Sequence, residues 1–168
     1  MMRRLLAIGM LLVLTLAAGE APAPAATPKP LSAKKLDALA NAALAAMKAR
    51  AAELRITGVA VVSYAQGDTV QGWTSKMAVV GRIKDPASGD NKGANFLGIA
   101  YAKSAEMADT LQDSGTAKRP PMTGEFCWQG GVIAKVKSGY IVVAFSGGKS
   151  EEDVEVSRAG LAVLKDAL

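Results

Sequence analysis

The residues able to hold or transform a ligand are few. The chain has one cysteine, Cys127, and no histidine. Without imidazole there is no His-ligated metal site, no Ser-His-Asp triad and no c-type haem attachment. Sulfur and phenol oxygen remain as soft or anionic donors. Met77, Met107, Met122, Tyr64 and Tyr101 are each of a type that ligates haem iron, as is the thiolate of Cys127. Taken singly, each such residue is more often a packing residue. Cys127 lacks a histidine base, and Glu125 lies two positions away, a charge that raises a thiol pKa. That setting disfavours a nucleophile. Asp85, Asp90, Asp109 and Asp113 lack the spacing of a calcium loop, and no carboxylate pair stands out as a general acid and base.

The stretch Ser146-Gly147-Gly148-Lys149-Ser150 follows an apolar run and precedes a helical pattern, the layout of a phosphate-binding loop. Such a loop needs a glycine five residues before its Gly-Lys-Ser, where this chain has Val143. Glu151, Glu152 and Asp153 would also repel a polyphosphate. The stretch reads instead as a sharp turn out of a strand, with Ser150 capping a helix and Lys149 solvated.

These residues must be positioned by a domain of modest size. The chain has 168 residues, enough for one domain with a real core. Half is apolar, but aromatics make up only 5%, so alanine supplies much of that share. Met1-Met2-Arg3-Arg4 followed by Leu5 to Ala18 without a charge has the form of a secretory signal peptide, assigned to residues 1–25. Residues 26–31 form a Pro/Ala-rich spacer, and 32–168 the domain. This implies a periplasmic or extracellular protein with no stable membrane insertion. A single cysteine excludes a disulfide framework. The net charge is +5 over the whole chain, without a basic face or aromatics interleaved with lysine and arginine, so nucleic acid is not an expected partner.

From Ser32 to Arg55, Leu36, Leu39, Ala43, Leu44 and Met47 recur at helical steps. Gly58 ends that pattern, and Val59 to Tyr64 reads as a strand buried on both sides. A second strand region is expected over Thr69–Ile83, interrupted near Gly72 or Lys76, then a polar loop from Asp85 to Gly93. A second helix is expected over Ala94–Gln112, with Leu97, Tyr101, Ser104, Ala108 and Leu111 facing inward. Asp113 to Thr123 is a loop. Val132–Lys137 and Tyr140–Phe145 form a hairpin about Ser138-Gly139. A last helix runs from Ser150 to Leu168, with Val154, Leu161, Leu164 and Leu168 facing the core. Hairpins separated by helices give an α+β domain with a mainly antiparallel sheet of about five strands.

Gly130-Gly131-Val132-Ile133, then Lys137-Ser138-Gly139-Tyr140-Ile141-Val142, Ser146-Gly147-Gly148, Glu151-Glu152-Asp153 and Ala159-Gly160-Leu161 stand in an order that resembles the GlcG/HbpS-type haem-binding (haem-degrading) family, related to the C-terminal domain of PduO. Gly58–Ser63, Arg82-Ile83-Lys84-Asp85 and Ala102-Lys103-Ser104-Ala105 match further elements in sequence. The resemblance spans roughly residues 32–165, with Val132-Ile133 standing where the family has proline. It implies a profilin-like α/β/α sandwich, a homo-oligomer, and haem or a similar small ligand as partner.

On that resemblance the chain is expected to be an exported haem-binding protein that scavenges, buffers or senses haem, with haem degradation implied by resemblance only. The candidate contacts are Tyr101, Lys103, Arg119, Met122, Cys127 and Trp128. Lysine and arginine would pair with the propionates, Trp128 and Phe126 would lie against the macrocycle, and a Met, Tyr or Cys would approach the iron. No catalytic residue is assigned and the axial ligand stays open. The alternative is a haem-independent oligomeric interaction or small-ligand-binding module of the same fold.

Overall fold

The computed structural model describes residues 32–165 and 167. The leader, the spacer and Leu168 lie outside the described residues. Helix α1, Ala33–Leu54, starts where Ser32 Oγ accepts a hydrogen bond from the Lys35 amide, and buries Ala43, Leu44, Met47 and Ala51. Arg55 ends it in the left-handed conformation, its amide donating to the carbonyls of Ala51 and Ala52.

Strand β1, Gly58–Gln66, is buried without a break from Gly58 to Ser63, because both of its faces are covered. It pairs antiparallel with β2, Thr74–Val80, on one side and with β6, Gly139–Ser146, on the other. Strand β5, Gly131–Val136, completes the sheet in the order β2-β1-β6-β5. Strands β3, Lys84–Asp85, and β4, Ala94–Asn95, form a separate two-residue pair. The fold is therefore mixed α+β, as expected, with four strands in the main sheet rather than five.

The antiparallel register sends alternate residues to opposite faces. Val62, Ile141, Val143 and Phe145 meet α1 and α3, Ser150–Lys165. Val59, Val61, Val142 and Ala144 meet α2, Phe96–Thr110. One sheet thus lies between two helices and one helix.

Three boundaries differ from the sequence expectation. Thr69–Trp73 leaves the sheet, so only Thr74–Val80 of the second strand region is extended. Ala94 and Asn95 belong to β4, and α2 starts at Phe96 because Asn95 Oδ1 accepts from the Gly98 amide. The hairpin turn is Lys137-Ser138, one residue early; Gly139 is already in β6, where a Cβ would collide with the Ala65 carbonyl. Glycine is needed there for close strand approach, not for the turn.

The inner face of α2 also differs. Phe96, Ile99, Ala100, Lys103, Ser104, Glu106 and Met107 are buried, Leu97, Tyr101 and Ala108 are half-buried, and Leu111 is exposed. In α3, Val156, Ser157, Gly160 and Leu164 are buried, with Val154 and Leu161 flanking them.

Candidate functional site

Between α2 and β5 the chain runs from Leu111 to Gly130 without helix or strand, yet its backbone is fixed at both ends. At the base, Ser114 and Gly131 join twice: Gly131 N donates to Ser114 Oγ at 2.8 Å, and Ser114 N to the Gly131 carbonyl at 3.2 Å. Asp113 accepts from the Ile133 amide at 2.9 Å, and buried Glu106 on α2 accepts from the Gly115 amide at 2.8 Å. Farther out, the Arg119 guanidinium forms two parallel bonds to Glu125, 2.7 and 2.8 Å, and a third to Asp109 on α2 at 2.9 Å. Bidentate arginine–carboxylate pairing is strong and directional. It holds the Glu125 carboxyl down at about 2, aided by the Met122 amide, and pushes the Arg119 guanidinium above its ordinary value. An irregular loop of this length, held in this way, is typically functional.

This loop presents large apolar side chains to solvent. Met122 is 52% exposed, Phe126 46% and Trp128 51%, with Leu111 beside the loop's start at 39%. Phe126 and Trp128 stack, ring centroids 4.9 Å apart and planes at 28°. Cys127, between them, has φ of 50°, the left-handed region that non-glycine residues rarely adopt. Its thiol is half-buried. Burial pushes its pKa up, and the carboxylates of Glu106 and Glu125 push the same way against the opposing pull of Arg119.

The six residues singled out from sequence separate into two groups. Arg119, Met122, Cys127 and Trp128 share this loop. Tyr101 does not reach it: its hydroxyl lies 3.1 Å from Ser75 Oγ, which in turn accepts from Ser63 Oγ at 3.0 Å, so the ring is tied to β2. Lys103 is 3% exposed, and its ammonium is committed to Asp153 at 2.7 Å and the Phe145 carbonyl at 2.9 Å. The charge of Lys103, expected to pair with a propionate, is thus enclosed and held by partners within the chain. Arg119 carries its charge on Glu125 and Asp109.

The Lys103–Asp153 pair sits where the two glycine pairs meet. A Cβ at Gly130 would collide with Lys103 Nζ, and Gly148 N donates to Asp153 Oδ1 at 2.8 Å. The Gly130 carbonyl accepts from Phe145 N and from Ser157 Oγ. Burial pushes Lys103 down and Asp153 up, while their mutual attraction opposes both shifts. Asp153 is therefore an interior anchor, not one of three solvated acids at a helix start. Sequence reasoning missed this pair and the bracing roles of Glu106, Asp109 and Glu125. The one local cue to the bracing was the three-residue spacing of Glu106 and Asp109 on α2.

None of four cavities among the described residues is lined by any of the six candidate side chains, although one, beside the start of the loop, is bordered by Asp109 and Leu111. Among the described residues no cluster of three His, Cys, Asp or Glu could hold a metal ion, and no helix is long and apolar enough to cross a membrane.

No protein-family model and no curated protein matches this chain. Among solved structures it is similar to a crystal structure of a PduOC:heme complex, at 17% identity over 79% of this chain and 94% of that one, with a TM-score of 0.51. A Klebsiella pneumoniae protein, ORFY, assigned to the DUF336 family, matches at 17% identity over 78% and 90% of the two chains, with a TM-score of 0.47. The chain thus shares at the level of fold the architecture of the PduO C-terminal domain.

Proposed function

We propose that the chain is an exported haem-binding protein whose ligand lies against the Leu111–Gly130 loop. The observation that carries this reading is the exposed Phe126–Trp128 stack, with Cys127 between the two in sequence, on an ion-pair-braced loop. A similar fold in a heme complex supports the ligand class. Haem needs a flat apolar surface, a donor to iron and a place for two carboxylates. Phe126 and Trp128 supply the surface, and Met122 or Cys127 a sulfur donor of the right chemistry. With Lys103 enclosed and Arg119 occupied, exposed Lys118 is the cation of this loop that would be free to pair with a propionate.

Bound haem would supply the redox and ligand-exchange chemistry of its iron. The chain's own residues hold the platform rigid, limit solvent on one face and set the charge around the sulfur. Burial, with the carboxylates of Glu106 and Glu125, disfavours a thiolate at Cys127 in the free protein, which favours Met122 of the same loop as a neutral sulfur donor. The open setting of these residues also suits a second reading, in which the same apolar patch docks another protein or another copy of this chain.

Haemin titration of the purified protein separates the two. The haem reading requires a saturable Soret shift at one haem per chain, weakened by Trp128→Ala and by Cys127→Ala or Met122→Leu, and unchanged by Tyr101→Phe. Size measurement of the same samples tests whether an oligomer forms.

A further inference from the structure

Among the acids that support the Leu111–Gly130 loop, Glu106 is set apart by its burial and by the lack of a counter-charge. Asp109 and Glu125 share the Arg119 guanidinium. Glu106 is 1% exposed, and no cation among the described residues pairs with it. Lys103, one turn earlier on α2, is committed to Asp153. A carboxylate taken out of water without an opposite charge is costly, and such groups concentrate at functional sites.

The position of Glu106 ties it to the aromatic platform. Its carboxylate accepts from the Gly115 amide at 2.8 Å. Gly115 has φ of 72°, and a Cβ there would lie 2.9 Å from the Cys127 carbonyl oxygen and 2.7 Å from Gln129 N. The outgoing leg of the loop is thus pressed against the backbone of Cys127, Trp128 and Gln129, with Glu106 directly behind Gly115. Burial raises the Cys127 thiol, and the Glu106 charge adds to that effect. A positive charge held at this loop would complement the buried carboxylate.

We propose that Glu106 is a specificity-determining residue that biases the site toward ferric haem, an inference that rests on the haem reading. The core of a ferric porphyrin carries one positive charge, and one-electron reduction to the ferrous form leaves it neutral. The carboxylate attracts the first and gains nothing from the second. A unit charge acting at about 10 Å through an effective dielectric of about 20 changes such an equilibrium by roughly tenfold.

The test uses the full-length protein loaded with haemin and reduced stepwise with dithionite in the presence of redox mediators. The midpoint potential is read from the Soret and visible bands. Glu106→Gln keeps an acceptor for the Gly115 amide and removes the charge. The expected result is an affinity for haemin lower by about tenfold with the affinity for ferrous haem unchanged, hence a midpoint higher by about 59 mV. Glu106→Asp keeps the charge and a midpoint near that of wild type, as does Glu151→Gln, which neutralises an exposed acid on α3. Trp128 emission, read in a Trp73→Phe background, stays unchanged in Glu106→Gln. An unchanged midpoint in Glu106→Gln, or an equal rise in Glu106→Asp, overturns the proposal and leaves haem binding intact. A rise accompanied by altered Trp128 emission overturns the assignment to charge. A wild type that takes up no haemin overturns the haem reading and this proposal together.

Discussion

At the residue scale, two groups buried or half-buried against ordinary preference explain most of the sequence motifs. Lys103 and Asp153 come from helices on opposite faces of the sheet and meet at its end, in space left open by Gly130 and Gly148. Removing one partner strands the other. Lys103→Met is expected to destabilise the protein by about 3–5 kcal/mol, measured by urea unfolding, whereas Lys103→Met/Asp153→Leu recovers a substantial part of that loss. Recovery is incomplete because Asp153 also accepts from the Gly148 amide. If the double variant is no more stable than the single one, the pair is not the anchor described. Cys127 provides a second residue-scale expectation. Only the thiolate is nucleophilic, and this thiol is pushed above its ordinary value by burial and two carboxylates. Alkylation by iodoacetamide at pH 7.5 is therefore slower than for an unfolded cysteine, and its rise with pH comes later than for the unfolded chain. Rapid labelling at neutral pH would contradict that environment.

At the scale of elements, the Leu111–Gly130 loop behaves as a built part because Arg119, Glu125 and Asp109 tie its outer portion to α2. Glu125 has a folded pKa of about 2 against an ordinary 4.5. A depressed carboxyl contributes stability that is complete above 4.5 and is lost as pH falls toward 2. With Trp73 replaced by Phe, Trp128 becomes the sole tryptophan, and its emission is expected to shift across that window, whereas Glu125→Gln shows the altered emission already at pH 7. A Trp128 signal flat from pH 5 to 2 would remove the brace from the account. Helix α1, doubly buried β1 and the β5–β6 hairpin were legible in sequence because their patterns are local: helical spacing from Leu36 to Met47, a β-branched run at Val59–Val62, two runs joined by two residues. The face of α2 was not legible. Phe96, Leu97, Ile99, Ala100 and Tyr101 are apolar around the whole helix, so periodicity does not choose a side. Lys103 and Glu106 point inward because partners outside the helix satisfy them, Asp153 from α3 and Gly115 from the following loop. A charge in the sequence carries no mark of such a partner. The same reason hid the role of Asp153, which reads locally as a helix-start acid.

At the scale of the whole molecule, a four-stranded antiparallel sheet lies between α1 and α3 on one side and α2 on the other, the architecture shared with the PduO C-terminal domain. The order of glycine pairs and turns made that fold legible; the candidate site was legible only in part. Met122, Cys127 and Trp128 were singled out by residue type and do share one surface loop. Tyr101 and Lys103 have the right chemistry but are tied to β2 and to Asp153. Distinguishing the two groups requires tertiary placement, which composition does not carry. The central claim is that the aromatic loop, and not the helix residues, receives haem. Its most direct measurement is a haemin titration of wild type beside Phe126→Ala/Trp128→Ala and Tyr101→Phe, with Soret absorbance read to saturation. The account predicts one haem per chain for wild type and Tyr101→Phe, and affinity reduced by about tenfold or more when both rings are removed, a loss of roughly 1.4 kcal/mol or more. An unchanged titration for the double variant, or no saturable Soret shift in the wild type at micromolar haemin, would contradict it.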